Sequence, residues 1–347
     1  MINTEIKHNM ALEFIGFISR YSKNEEIHEV VKEFDLKFNE DIEKWIEDIN
    51  NEISPFLKSD IELLVGGLWI SQYAMLQMVI ENKLKTPKEY ISFFKRVSGE
   101  EYIKRCFDEY EINKYNDNKI TFESKDDDIF EAIKFRKDKE EAKNFKQFKK
   151  YSTEMKKRLD MVLEEFYNKF FIKYEDKIKK IMKEKVKLSN KKFRDDPETF
   201  LEVIGRGDFS NVLKGDRDLR IYVNYTTEFD FAYYIDSSIC NIIYGYGMEQ
   251  RFNQKKMREK SKDFFKALSD EKRLEILRLL GRRKWFSNEL AKHFSLTSAT
   301  MSYHINKLTD LGVVLHEAGD QNKVYYKINK EKLKELFDVA LKDILAE

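Results

Sequence analysis

The densest concentration of chemistry in this chain lies at residues 295–308, Ser-Leu-Thr-Ser-Ala-Thr-Met-Ser-Tyr-His-Ile-Asn-Lys-Leu. Met301, Ile305 and Leu308 recur at i, i+4 and i+7, the spacing of one apolar helix face. Ser, Thr, Tyr, His, Asn and Lys are left for the outer face. Such donors and acceptors suit contact with phosphates and base edges better than bare solvation. Thr297 is placed to cap this helix, so its hydroxyl serves either as a cap or as a contact.

Positioning such a helix requires neighbours, and the flanking sequence supplies them. Upstream, Phe264, Phe265, Leu268, Leu274, Ile276, Leu277, Leu279 and Leu280 keep helical spacing. Asp270 and Glu271 suit a helix start, and Gly281 suits a left-handed helix end. A short helix at 288–293 follows, with Ser287 as its expected N-cap and Leu290, Ala291 and Phe294 inward. The hydroxyl-rich helix is expected to stop near Gly312. Two β-like runs, 313–317 and 324–328, flank the polar loop 318–323 and predict a hairpin. A final amphipathic helix over 331–345 carries Leu333, Leu336, Phe337, Ala340, Leu341 and Ile344. Helix, helix-turn-helix and hairpin together are the order of a winged helix domain, whose second paired helix enters the major groove.

Several short motifs sharpen this reading. Phe265-Lys266-Ala267-Leu268-Ser269-Asp270 is followed by Arg273-Leu274-Glu275-Ile276-Leu277 and then Glu289-Leu290-Ala291. Ser302-Tyr303-His304-Ile305, Leu308, Gly312-Val313-Val314 and Val324-Tyr325-Tyr326 complete the series. In this order and spacing, over about 80 residues, the C-terminal quarter resembles ArsR-type winged helix-turn-helix regulators. The resemblance implies a homodimer that reads a palindromic operator in double-stranded DNA, with the first and last helices of the domain forming the dimer contact. A repressor is implied before an activator. Recognition helix 297–308 and wing 313–328 would carry DNA contacts at Thr297, Ser298, Thr300, Ser302, Tyr303 and His304, with Lys307 near phosphate and Asn322 and Lys323 on the wing. Many relatives sense metal through paired cysteines, but the matching positions here are Phe286 and Asn288. Another family site uses Asp and His on the last helix, yet no His follows residue 331. No metal or other cofactor is expected, because soft-metal sites need thiolate or imidazole donors.

Composition bounds the remainder. A chain of 347 residues predicts two or three domains, and three prolines favour long helices. Lys and Arg number 64 against 63 Asp and Glu, so no global field marks a polyanion partner. The imbalance is local: residues 251–334 hold 20 Lys or Arg against 10 Asp or Glu, a surplus where a DNA reader is expected. Cys106 and Cys240 make neither a disulfide framework nor a metal cluster and read as buried thiols. The N-terminus lacks a signal-peptide pattern. The apolar stretch 63–80 is interrupted by Gly and Gln and reads as a buried helix. A cytoplasmic protein with no membrane partner is the expectation.

The fold class expected is mainly α: a helical N-terminal domain (1–195), a small β-containing subregion (196–247), a linking helix (248–262) and the winged helix domain (263–347). The longest uninterrupted helical pattern is 151–186, suited to core packing or to pairing with a second chain. Asp126-Asp127-Asp128 reads as a solvated cap for a helix starting at Ile129. Strands are expected at 219–225, 230–235 and 239–244. No catalytic constellation or phosphate-binding loop appears, so no enzyme is expected. Trp45, Trp69, Tyr73, Phe93, Phe94, Tyr233 and Tyr234 are candidates for an apolar pocket holding a small-molecule effector, or else for core. A winged helix used as a protein-docking module is the alternative function.

Overall fold

The computed structural model describes residues 4–345 except 34–35, 69, 111–119, 137–138, 206–217, 236–238 and 319–323. The chain splits into two units, Met1–Arg251 and Phe252–Glu347.

The first unit begins with strand β1 (Ile6–Lys7) and helix α1 (Met10–Ser22). Helices α2 (Asn24–Glu33), α3 (Glu40–Glu52) and α4 (Pro55–Ile61) follow, then a π-helical turn (Glu62–Gly66). Next come α5 (Ser71–Glu81), α6 (Pro87–Phe94), α7 (Gly99–Glu109), α8 (Asp126–Arg136), α9 (Lys139–Lys150) and α10 (Ser152–Lys169). Helices α11 (Glu175–Asp195) and α12 (Pro197–Ile204) lead to strands β2 (Asp218–Asn224), β3 (Phe231–Ile235) and β4 (Ile239–Gly245). All three prolines stand at the first position of a helix, behind Ser54, Thr86 and Asp196, whose side chains accept backbone N–H bonds. Proline lacks an N–H where none is needed, and its fixed φ suits a helix start.

Helix α1 is apolar nearly all round, as a central helix must be, and Phe14, Ile15, Phe17 and Ile18 are fully buried. Phe14 and Phe17 meet Phe171 with ring centroids 5.2 and 5.8 Å apart. Two charges on α1 are buried too, and both are partnered. Glu13 accepts from the backbone N–H of Tyr225 and Thr226 at 2.8 and 2.7 Å and lies 2.8 Å from His8 Nε2. Burial alone would lift this carboxyl, but the His8 contact and these hydrogen bonds hold it below the ordinary Glu range. Arg20 donates to Glu228 at 2.5 Å and Glu43 at 2.7 Å.

The sheet order is β1-β2-β4-β3. Strand β1 runs parallel to β2 with Ile6 opposite Ile221, so the N-terminus extends the sheet built from residues 218–245. Strands β2 and β4 are parallel, with Ile221 opposite Ile242, and β3 closes the edge antiparallel to β4. Gly245 lets β4 end against the Glu228 backbone, since a Cβ there would lie 2.2 Å from the Glu228 oxygen.

Three expectations about helices change. The pattern over 151–186 is not one helix: it breaks at a 3-10 turn (Phe171–Lys173) between α10 and α11. Phe166, Tyr167, Phe170 and Phe171, which flank this break, are all buried. The stretch 63–80 is likewise broken between the π-turn and α5. Helix α8 starts at Asp126, and Asp126 and Asp127 pair with Lys149 and Lys146 at 2.9 and 2.7 Å. Among the described residues, no single helix is long and apolar enough to cross a membrane. The bent pair Pro55–Gly66 and Ser71–Glu81 meets that test only jointly, and its Ile61, Leu64, Met75 and Val79 are buried in the core. Both cysteines are buried and free.

Candidate nucleic-acid interface

Helix α13 (Met248–Leu268) carries the chain into the second unit. There α14 (Glu271–Arg282), strand β5 (Trp285–Phe286), α15 (Ser287–His293) and α16 (Ser298–Asp310) precede strands β6 (Val314–Ala318) and β7 (Val324–Ile328) and the last helix, α17 (Lys330–Leu345). The three strands pair antiparallel in the order β5-β7-β6. Strand β5 was not anticipated. At two residues it is too short to show a period in sequence.

Local chemistry sets each boundary. Asp270 caps α14 by accepting from Arg273 N–H at 3.0 Å. Gly281 does not end α14 in a left-handed turn; the helix runs to Arg282, and extended Arg283 leads directly toward β5. Ser287 is the first residue of α15, and no side chain caps that helix. Between α15 and α16 the turn is made at Ser295, with φ of 53°, and α16 is closed by Gly312, with φ of 72°. Only glycine takes that second conformation without cost.

Met301, Ile305 and Leu308 of α16 are fully buried and share one core with Ile276, Leu280, Leu290, Val313 and Leu336. That burial fixes the helix's rotation and therefore its outer face. Thr297, Ser298, Thr300, Tyr303 and Lys307 are exposed, and Ser302 is half-buried. The Thr297 hydroxyl accepts from Thr300 N–H at 3.2 Å and lies 2.9 Å from the Thr300 hydroxyl, so it closes the first turn.

His304 stands apart from this set. It is buried, and its Nδ1 lies 3.6 Å from Asp270 Oδ1, beyond hydrogen-bond reach, with no hydrogen-bond partner for that nitrogen among the described residues. The outer face expected for it is not where it points. Burial tends to raise Asp270, but the Arg273 N–H bond and the neighbouring His304 and Arg273 side chains leave its carboxyl lowered. Ala299, absent from the sequence candidates, and Asn306, expected on the outer face but not among the named contacts, are exposed at the middle of that face. Counting 100° per residue from Met301, Ile305 and Leu308 would have placed them there. Asn322 and Lys323 lie outside the described residues.

At the small sheet, Glu317 on β6 receives Lys284 and also Lys327 at 2.7 Å. Hydrogen bonds from these two lysines lower its carboxyl to about 2. Arg283 pairs with Glu289 and stacks 3.7 Å from the Trp285 ring centroid. Phe286 sits in β5, and Asn288 is exposed on α15.

In the first unit, Trp45 and Phe94 are core residues, buried to 4% and 0% exposure. Tyr73, Tyr233 and Tyr234 border a cavity of about 20 Å³, room for one water. Phe93 packs against the core, and Trp69 lies outside the described residues. The larger cleft, about 920 Å³, is polar instead, bordered by Tyr21, Asn24, Asn50, Glu62, Glu141 and Asn144 among others.

Three helices over a small antiparallel sheet, with the second helix of the turn presenting a polar face, define a winged helix-turn-helix domain. Comparison with known proteins agrees: residues 268–317 match a helix-turn-helix domain family. The arsenical resistance operon repressor of Bacillus subtilis (strain 168) is 36% identical over 78 residues, covering 22% of this chain and 73% of the repressor. That of Staphylococcus aureus is 39% identical over 64 residues, 18% of this chain, and the chain spans only 61% of its length. The transcriptional repressor SdpR of Bacillus subtilis is 32% identical over 71 residues, 20% of this chain and 78% of SdpR. Through its last quarter the chain belongs to the arsenical-resistance (ArsR) repressor family. These matches support a DNA-binding transcriptional regulator, and none of them extends into the first 200 residues.

Proposed function

We propose that the chain is a dimeric, sequence-specific DNA-binding repressor. The observation that carries this reading is the rotation of α16: a buried Met301-Ile305-Leu308 stripe that leaves Ser298, Thr300, Tyr303, Asn306 and Lys307 exposed. An α-helix with that face fits a major groove about 12 Å wide. Asn306 offers the amide that pairs bidentately with adenine, Ala299 a methyl for thymine, and Lys307 a cation for phosphate. Thr297 serves mainly as the cap, and Ser302 reaches outward only in part. His304 supports the helix from behind. Asn322 and Lys323 would extend the contact at the wing.

A dimer is supported by apolar side chains that the second unit leaves in solvent. Phe265 on α13 and Phe337, Leu341, Ile344 and Leu345 on α17 are between 43% and 65% exposed. Large apolar groups gathered on two helices call for a partner surface, and an isologous contact would pair two recognition helices for a palindromic operator. A small effector would act from the first unit, where the polar cleft is the larger of the described cavities. It would shift DNA affinity by favouring one state of the dimer.

The test is selection of a random duplex library by the full chain at near-physiological salt. Enrichment of a palindrome with half-sites about one turn apart is expected. A folded dimer that enriches nothing would overturn the reading and favour a protein-docking role for the winged helix.

A further inference from the structure

Helix α11 bears nine cations between Lys177 and Arg194 and one carboxylate, Glu184. The structure sorts the cations into two groups. Lys177 pairs with Asp41 at 2.9 Å, Lys179 with Glu175 at 3.1 Å and Lys192 with Glu249 at 2.6 Å. Lys185 lies 4.7 Å from the Tyr246 ring centroid. The other five, Lys180, Lys183, Lys187, Lys191 and Arg194, are exposed, and none has a carboxylate within 4.0 Å among the described residues.

Their steps of three, four, four and three residues keep all five within an arc of about 80° and string them along about 21 Å of helix. Opposite them, Ile178, Met182 and Phe193 are buried in the core of the unit. The row is therefore a fixed, single-sign ridge on a helix that cannot roll. Glu184 flanks it at one edge.

We infer that this ridge is a second surface for the phosphate backbone of duplex DNA, distinct from the recognition helix. Five cations in line match a polyanion whose charge repeats every few ångströms, at about 3.4 Å per phosphate along each strand. A membrane surface fits less well. A helix lying in a bilayer interface inserts its apolar side, and here that side is occupied by the protein's own core. The inference rests on the reading that the chain binds DNA, and it adds a sequence-independent contact made by the first unit.

The test uses the full chain and a 30-bp duplex without operator sequence, titrated with NaCl and followed by fluorescence anisotropy. Replacing Lys180, Lys183, Lys187, Lys191 and Arg194 by Gln should reduce the slope of log affinity against log salt by up to about 4.5, at about 0.9 for each phosphate no longer neutralised. A control variant removes the same charge at exposed Lys37, Lys44, Lys88, Lys143 and Lys157. It should change the slope far less. A ridge variant that keeps the wild-type slope, or only matches the control, overturns the inference. So does an unchanged DNA slope with lost binding to phosphatidylglycerol vesicles, which would make the partner a membrane. The two DNA readings separate cleanly: Tyr303→Ala with Lys307→Ala should abolish operator preference while sparing most of the non-specific slope. Failure of operator selection in the wild type would remove the recognition-helix reading and leave the ridge to be judged on its own slope.

Discussion

His304 Nδ1 faces Asp270 Oδ1 at 3.6 Å across the back of α16, setting that helix against the residue that caps α14. A histidine inside a run of exposed polar residues is thus a prop between two helices. Replacing it removes buried volume and the imidazole beside Asp270, not a group on the outer face. His304→Ala is expected to lower stability by about 1–3 kcal/mol and to leave base preference unchanged. Thermal melting and library selection on the same variant check both halves.

The exposed residues of α16 predict the reverse pattern. Tyr303→Ala, Asn306→Ala and Lys307→Ala should each shift stability by less than about 0.5 kcal/mol. A base-contacting residue should cost about 1–3 kcal/mol of operator binding, whereas Lys307→Ala should weaken all sequences alike and reduce the salt slope by about one. Anisotropy titrations against operator and scrambled duplexes distinguish the two roles.

Leu341 and Ile344 are 54% and 65% exposed on the last helix. Leu341→Glu together with Ile344→Glu should leave helix content intact and convert a dimer to monomer. Sedimentation equilibrium reads the change directly. An unaltered dimer would place the interface elsewhere, for instance on the first unit.

Glu13 supplies a pH dependence. Its folded-state value lies below that of an exposed Glu, because His8, Thr226 and Tyr225 outweigh the cost of burial. Its contribution is therefore complete above the unfolded value, near 4.5, and is lost as pH falls through the lower folded value. Glu228 acts oppositely: burial lifts it despite Arg20, so its ionisation disfavours folding as pH rises through that window. In Glu13→Ala the backbone N–H groups of Tyr225 and Thr226 lose their acceptor, at about 1–3 kcal/mol each. Urea melts from pH 3 to 7 should show the gap between wild type and variant widening as pH rises.

Much of the second unit was legible because its signals are local. Met301, Ile305 and Leu308 fix one helical stripe, Asp270 and Thr297 are caps, and the helix stops by Gly312 as expected, whereas the left-handed end expected at Gly281 falls at Gly312 instead. Strands at 218–224, 231–235 and 239–245 lie close to the β-rich runs seen in sequence. Motif order alone sufficed to suggest the family.

What sequence could not decide depended on partners far along the chain. Strand β1 exists only because β2, more than 200 residues later, offers an edge. A convincing helical pattern breaks where Phe171 packs its ring against Phe14 and Phe17, residues more than 150 positions earlier. His304 faces inward because Asp270 and the core set the rotation of α16, and the five cations of α11 form a bare row because the other four found partners on α3, α11, β4 and α13 or beside them. Sequence sets each residue's periodicity and chemistry. Which side chains remain for solvent, and so for a partner, is settled only when distant segments pack and neutralise the rest.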